Sequence, residues 1–279
     1  MKINGLEFTF GADPEFFVQK NGIPVSAHGL IPGDKKNPHK VGWGAVQVDG
    51  MALEFNIDPA KGEAGFVRNL KEVMNTIMLM VPEYQVYDKP VADFGFDYIQ
   101  GQPDEAKELG CEPDFNAYTM DINPRPNAAT PFRTASGHIH IGWTGGVDPH
   151  DSGHFEACAT LAKMLDVYLG VPSLLWDEDD RRRELYGKAG SFRPKSYGME
   201  YRTLSNRWLR SDKPYLSRFI FNNCVDAVKK CFEDPEYAER DLMGKTAREI
   251  VDTGDRGLAM SFLKYTAPFK KPKEYEGAA

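Results

Sequence analysis

Four short stretches of the chain set apolar residues in alternation with Asp, Glu, His or Arg at a spacing of two, the period of a β-strand and not of a helix. Ser136-Gly137-His138-Ile139-His140-Ile141-Gly142 shows it most clearly. On a strand both imidazoles point to one face, and Ile139 and Ile141 point to the other. In Gly11-Ala12-Asp13-Pro14-Glu15-Phe16-Phe17, Asp13 and Glu15 share a face. Glu54 sits in the otherwise apolar Met51-Ala52-Leu53-Glu54-Phe55-Asn56-Ile57, with Asn56 on its side. In Gly198-Met199-Glu200-Tyr201-Arg202-Thr203-Leu204, Glu200 and Arg202 share a face, and Phe192-Arg193-Pro194-Lys195 precedes them.

The remaining elements are ordinary. Residues 8–20 read as a strand broken around Gly11-Ala12-Asp13-Pro14, and residues 29–44 as a loop rich in Gly, Pro and Lys. Residues 45–49 and 52–57 read as two strands around Gly50, with Asp49 as a turn residue. Phe66, Val67, Leu70, Val73, Met74, Ile77 and Met78 recur at helical spacing, which predicts an amphipathic helix over 66–81. Further helices are expected over 155–169 and 215–231, and strands over 135–143 and 197–204. Residues 93–133 read as a long irregular stretch. No strand–helix rhythm of a parallel sheet is present, so the expected class is α+β: an antiparallel sheet with helices packed on its back. Residues 1–267 are expected to form a single domain, and 268–279 a flexible tail.

Composition narrows the function. The chain has 279 residues, 41% of them hydrophobic and 27% charged, as in a soluble globular protein. A net charge of -7 gives no support for whole-protein attraction to nucleic acid or to a membrane. No apolar run approaches the roughly 18–20 residues that span a bilayer, and the N-terminus lacks the apolar core of a signal peptide. Cys111, Cys158, Cys224 and Cys231 form no Cys-x-x-Cys pair and read as buried thiols of a cytoplasmic protein.

Carboxylates on apolar strands are rarely buried unless they are paired or hold a metal. Each motif also has a plainer account: zinc hydrolases use His-x-His, and a Glu-x-Arg can close on itself as an ion pair. One account covers all four segments together. The carboxylates and an imidazole hold hard divalent cations, while Arg193, Lys195 and Arg202 neutralise a polyphosphate.

In this order the motifs resemble the glutamine synthetase and glutamate–cysteine ligase superfamily, and within it the phage-type carboxylate–amine ligases (amidoligase type 2). The resemblance runs over about residues 8–210 and includes Asp49-Gly50-Met51-Ala52-Leu53-Glu54-Phe55-Asn56 and Tyr197-Gly198-Met199-Glu200-Tyr201-Arg202. It implies a glutamine-synthetase-like curved sheet and an ATP- and Mg²⁺- (or Mn²⁺-) dependent ligase that forms an amide through an acyl phosphate. Asp13, Glu15, Glu54, His138 and Glu200 would be metal ligands, and Arg193, Lys195, Arg202 and His140 would meet the nucleotide. Arg202, Arg193 and Glu54 would carry the chemistry. The resemblance leaves open which of His138 and His140 meets metal. The implied partners are a small-molecule or peptide carboxylate and an amine, a modified nucleobase included, with an oligomer compatible and no membrane. The implied location is the cytoplasm, the host's if a phage encodes the chain. The alternatives are a guanidino-kinase-like phosphotransferase and a non-catalytic metal- or nucleotide-binding protein.

Overall fold

The computed structural model describes residues 1–107, 114–127, 129–238 and 243–265. Ten strands form one open antiparallel sheet. In chain order they are β1 (Thr9–Lys20), β2 (Ile23–Val25), β3 (His39–Val41), β4 (Gly44–Asp49) and β5 (Ala52–Ile57). Then follow β6 (Gln85–Tyr87), β7 (Phe115–Asn116), β8 (Gly137–Gly142), β9 (Ser191–Lys195) and β10 (Gly198–Tyr201). Side by side the order is β7-β9-β10-β8-β1-β5-β4-β3, with β2 and β6 pairing to β1 off this path. The strands that carry Glu54, Glu15, His138 and Glu200 are therefore the four consecutive strands β5-β1-β8-β10.

Alternation assigns the two faces. Phe10, Ala12, Phe16, Leu53, Phe55, Ile57, Ile139, Ile141, Met199 and Tyr201 all join the main hydrophobic core. The residues between them face the other way and carry the ionisable row. Helix α1 (Glu63–Met80) packs on β4 and β5, and α2 (Ser152–Leu165) packs on β9 and β10. Helix α3 (Tyr215–Glu233) lies against both helices. α1 buries Phe66, Leu70, Val73 and Ile77, the stripe that its sequence spacing predicts. α2 starts where the Asp151 side chain accepts from His154 N, which satisfies one orphan amide of the first turn. Two further helices, α4 (Met243–Thr253) and α5 (Arg256–Tyr265), were not anticipated from the sequence.

β1 is continuous, whereas the sequence suggested a break at Gly11–Pro14. Pro14 lies where pairing to β8, which ends at Gly137, gives way to pairing with β5 from Glu15 onward. The missing proline amide thus falls at a change of partner, and the strand runs through it. The expected loop 29–44 contains β3, which forms a hairpin with β4. Within the irregular stretch, Phe96–Gln100 and Asp104–Lys107 form short helices. Cys158, Cys224 and Cys231 are buried free thiols. Cys111 and the tail 268–279 lie outside the described residues. No described helix is long and apolar enough to cross a membrane.

Candidate functional site

Register brings the ionisable row together. Across β8 and β1, His138 stands opposite Asp13 and His140 opposite Gly11; on the other side His140 stands opposite Glu200. Glu200 is in turn opposite Arg193 of β9, and Glu15 is opposite Glu54 across β1 and β5. Two groups of ligand atoms result, each with its atoms within 4.8 Å of one another: Asp13, His140 and Glu200, and Glu15, Asp49 and Glu54.

The first group lies in a cationic setting. Glu200 is buried and meets Arg193 Nη1 at 3.1 Å, Lys195 Nζ at 3.1 Å and Arg202 Nη1. Arg202 also donates through Nε to Asp114 at 3.2 Å. Burial pushes the Glu200 carboxyl up, but Arg202 and Arg193 outweigh it and hold the group well below the carboxylate range. Asp13 behaves alike: burial opposes ionisation, and His140 and His138 reverse the outcome. His140 Nε2 lies 3.0 Å from Asp13 Oδ2, and its Nδ1 meets the Tyr197 hydroxyl. Burial lowers the His140 pKa, Asp13 raises it, and the net direction is up. His138 is the reverse case. Its Nδ1 lies 3.3 Å from Glu200 and 3.4 Å from Asp13, yet burial and then Arg202 push it down to about 4, so it is a neutral imidazole at neutral pH.

The second group is short of positive charge. Lys35 Nζ reaches Asp49 at 2.7 Å, Gln47 donates to Glu54 at 2.8 Å, and the Ser136 amide donates to Glu15 at 2.8 Å. Burial and then Asp49 push Glu15 up to about 7. Burial, Asp13, Asp49 and Glu15 together push Glu54 well above its usual range. Three crowded carboxylates that cannot all ionise cheaply form an all-oxygen donor set, which suits a hard divalent ion such as Mg²⁺ or Mn²⁺. Asp13 Oδ1, next along β1, is buried and makes no hydrogen bond. The oxygen-only group is the better cation site, because Glu200 is already engaged by three cationic side chains.

All nine residues singled out in the sequence line one sheet face or its edge. His140, not His138, falls into a group of candidate ligand atoms. Glu200 and Arg202 do pair, as the plainer reading of Glu-x-Arg expects, but as part of a four-way contact. Asp49 is the residue whose role sequence reasoning missed: it ends β4, as the predicted strand 45–49 has it, and its carboxylate lies beside Glu15 and Glu54. Its signal was the alternation Ala45, Gln47, Asp49, which puts it on the face of Gln47. Asp114 and Tyr197 were also missed as site residues: Asp114 lies in the irregular stretch, and Tyr197, expected to open the strand 197–204, sits in the turn before β10.

Two concavities flank this row. A cleft of about 350 Å³ opens over Gly11, Asn56, His140, Gly142 and Tyr197. A smaller cavity of about 50 Å³ lies at the Glu15 end, lined by Asp49, Arg133, Ser136, Tyr186 and Arg202 among others.

The model of a family described as phage phiEco32-like COOH.NH2 ligase-type 2 matches residues 128–241. This is the family that the motifs resemble, and at that level the match supports a carboxylate–amine ligase. No curated protein matches the chain. The matched stretch holds His138, His140, Arg193, Lys195, Glu200 and Arg202. Asp13, Glu15, Asp49 and Glu54 lie outside it and reach the site through the pairing of β1, β5 and β4.

Proposed function

We propose, with the match of residues 128–241 to that ligase family as premise, that the chain is an ATP- and Mg²⁺- (or Mn²⁺-) dependent ligase. It would join a carboxylate to an amine through an acyl phosphate. One observation carries the reading: a carboxylate group short of positive charge and a cluster of three cations share one sheet face, with Asp13 between them. A bare metal site has no use for Arg193, Lys195 and Arg202, and a bare phosphate site has no use for Glu15, Asp49 and Glu54.

Glu15, Asp49 and Glu54, with Asp13 adjacent, would hold the divalent ion, which when bound supplies positive charge to phosphate oxygens. Arg193, Lys195 and Arg202 would face the transferring group. Glu200 draws the three cations to one point and, with Asp114 on Arg202, offsets two of their three charges, so the cluster keeps a surplus for anionic oxygens. Arg202 is buried, and its charge acts there with little screening.

The reaction needs no protein nucleophile. An oxygen of the substrate carboxylate attacks the γ-phosphorus, the bond from phosphorus to the bridging oxygen breaks, and ADP leaves. The amine nitrogen then attacks the carbonyl carbon, the C–N bond forms, phosphate departs with the former carboxylate oxygen, and the nitrogen gives up one proton to the departing phosphate or to solvent. The protein positions the reactants and stabilises charge, so this chemistry calls for no Ser or Cys nucleophile. The partners would be a small-molecule or peptide carboxylate and an amine, met in the cytoplasm.

Incubation with ATP, Mg²⁺ and a panel of carboxylates and amines tests this. ADP, phosphate and a new amide mass should appear in equal amounts. ADP with an N-phosphorylated product would point to a guanidino-kinase-like phosphotransferase, and nucleotide binding with no turnover would point to a binding protein.

A further inference from the structure

β10 ends at Tyr201, and its ladder with β8 ends at the pair Ile139–Tyr201. Arg202 and Thr203 lie just beyond regular pairing and are buried, so their backbone carbonyls need partners from elsewhere. Arg182, in the short helix Arg182–Leu185, supplies them. Its Nη1 donates to the Thr203 carbonyl at 2.8 Å, and its Nη2 to the Arg202 carbonyl at 3.3 Å. Nη2 also donates to Ser136 Oγ at 3.0 Å. Ser136 in turn holds Glu15 from two sides: its amide donates to Glu15 Oε2 at 2.8 Å, and its carbonyl accepts from the Glu15 amide at 2.8 Å. One planar group thus fastens the residue that holds Glu15 to the backbone that carries Arg202.

Arg182 is 2% exposed, and its Nε makes no hydrogen bond. Burial pulls its pKa down to about 10 while Asp177 and then Glu15 oppose that, so it stays a cation at neutral pH. Burying a cation on two carbonyls and a hydroxyl is costly, and an apolar side chain would serve better if packing were all that the position required. The backbone also makes room for the group. Gly187 has a φ of 76°, and a Cβ there would overlap Arg182 Nη1 and come within 2.8 Å of the Thr203 oxygen. Arg182 lines neither of the two concavities, so it meets no reactant.

We propose that Arg182 is a positioning residue, which sets the carboxylate half of the site, through Ser136 and Glu15, at a fixed spacing from Arg202. This rests on the ligase reading of the site and adds a residue to it. In that reading Glu15 and Arg202 serve one phosphate group together, and a misplacement of about 1 Å costs roughly 10²-fold in rate. Binding at either half alone does not depend on the spacing between them. The step that needs both halves does.

Two variants test this well below their melting temperatures. Arg182→Lys keeps the charge, but an ammonium on a flexible stem cannot hold three acceptors in one plane. Ser136→Ala removes one acceptor and leaves the backbone bonds to Glu15 in place. The kcat of amide formation should fall about 10- to 100-fold in Arg182→Lys. In Ser136→Ala it should fall about 3- to 10-fold, the worth of one hydrogen bond. By calorimetry, Mg²⁺ alone and ATP alone should bind as in the wild-type protein. The gain in ATP affinity on adding Mg²⁺ should shrink by about 5-fold or more in Arg182→Lys, the low end of couplings between sites. Mg²⁺ complexes ATP in solution equally for every protein, so a difference between proteins lies in the site. If Arg182→Lys gives no cooperative melting curve, Ser136→Ala carries the comparison. An unchanged kcat, an unchanged Mg²⁺ gain, or loss of Mg²⁺ or ATP binding taken singly overturns the proposal and leaves ligation standing. If the wild-type protein forms no amide, the ligase reading fails, and the Mg²⁺ gain alone decides. A smaller gain in the variant upholds the positioning role; an equal gain, or no gain in the wild-type protein, refutes it.

Discussion

Glu15 and Glu54 stand directly opposite each other across β1 and β5. Like charges in that position destabilise a sheet, and here Asp49 crowds them further. The folded chain meets the cost by raising proton affinity: Glu15 is pushed up to about 7 and Glu54 well above its ordinary 4.5.

The sign of the pH dependence follows. Between the ordinary 4.5 and about 7 the folded state binds protons at these sites that the unfolded chain does not. Stability from this pair is therefore greatest at low pH and falls as pH rises through that window. Asp166, raised to about 7 by burial despite bonds from Tyr201 and Tyr118, acts in the same direction. His138, held down to about 4, acts against them, but His140, whose pKa is raised, acts with them. Without divalent cations the melting temperature should drop from pH 5.5 to pH 8. Added Mg²⁺ should raise it more at pH 8, where the ligands are ionised. An equal Mg²⁺ effect at both values would exclude these carboxylates as the cation site.

Glu54→Gln separates stability from function. The amide removes one charge from a crowded trio and keeps a polar partner for Gln47, which donates to Glu54 at 2.8 Å. In the absence of cations at pH 8 the variant should be more stable by about 1 kcal/mol, the scale of a like-charge cross-strand pair. It should lose both the Mg²⁺-dependent rise in melting temperature and amide formation. A less stable variant that still responds to Mg²⁺ would contradict the assignment.

The strands were legible because a period of two fixes which face a residue takes. That is why Asp13, Glu15, Glu54, His138, His140 and Glu200 could be placed on a face from sequence, and α1 likewise by its stripe. Register between distant strands is not written locally. Nothing near Asp13 says that it faces His138, some 125 residues on, so Asp49 read as a turn residue and its place beside Glu15 and Glu54 was hidden. Arg133 and Asp114 sit in a short side strand and beside a two-residue strand, where no periodicity marks them, and Tyr197 sits in the turn before β10 and not in the strand expected over 197–204.

Gly198 opens the strand that carries Glu200. Its φ of 151° suits glycine, and a Cβ there would run into the backbone oxygen of Ile141. Its carbonyl also accepts from His154 Nε2 at 3.1 Å, which ties β10 to α2. Gly198→Ala should cost about 1–3 kcal/mol, the range for forced backbone strain, as measured by urea unfolding. Turnover should fall as well, since a shift of β10 moves Glu200. An Ala variant of native stability would show that the strand relaxes without cost.

Arg202 is the sharpest test of role. It meets Glu200 through Nη1 and Asp114 through Nε, and His138 Nδ1 lies 3.4 Å from Nη1. One planar group thus links the acid on β10 to an acid beside β7. Arg202→Lys keeps the charge, but a single ammonium cannot reproduce that fork, so the contact to one acid is weakened or lost. If Arg202 stabilises charge building on the transferring phosphoryl group, turnover should fall by about 10²-fold or more, the scale for loss of one such donor. Nucleotide affinity should change far less, because the contact strengthens mainly in the transition state. If Arg202 serves only to neutralise Glu200 and Asp114, the Lys variant should lose some thermal stability and keep its rate. Single-turnover kinetics together with a melting curve separate the two, and a near-wild-type rate would reduce Arg202 to an internal ion pair.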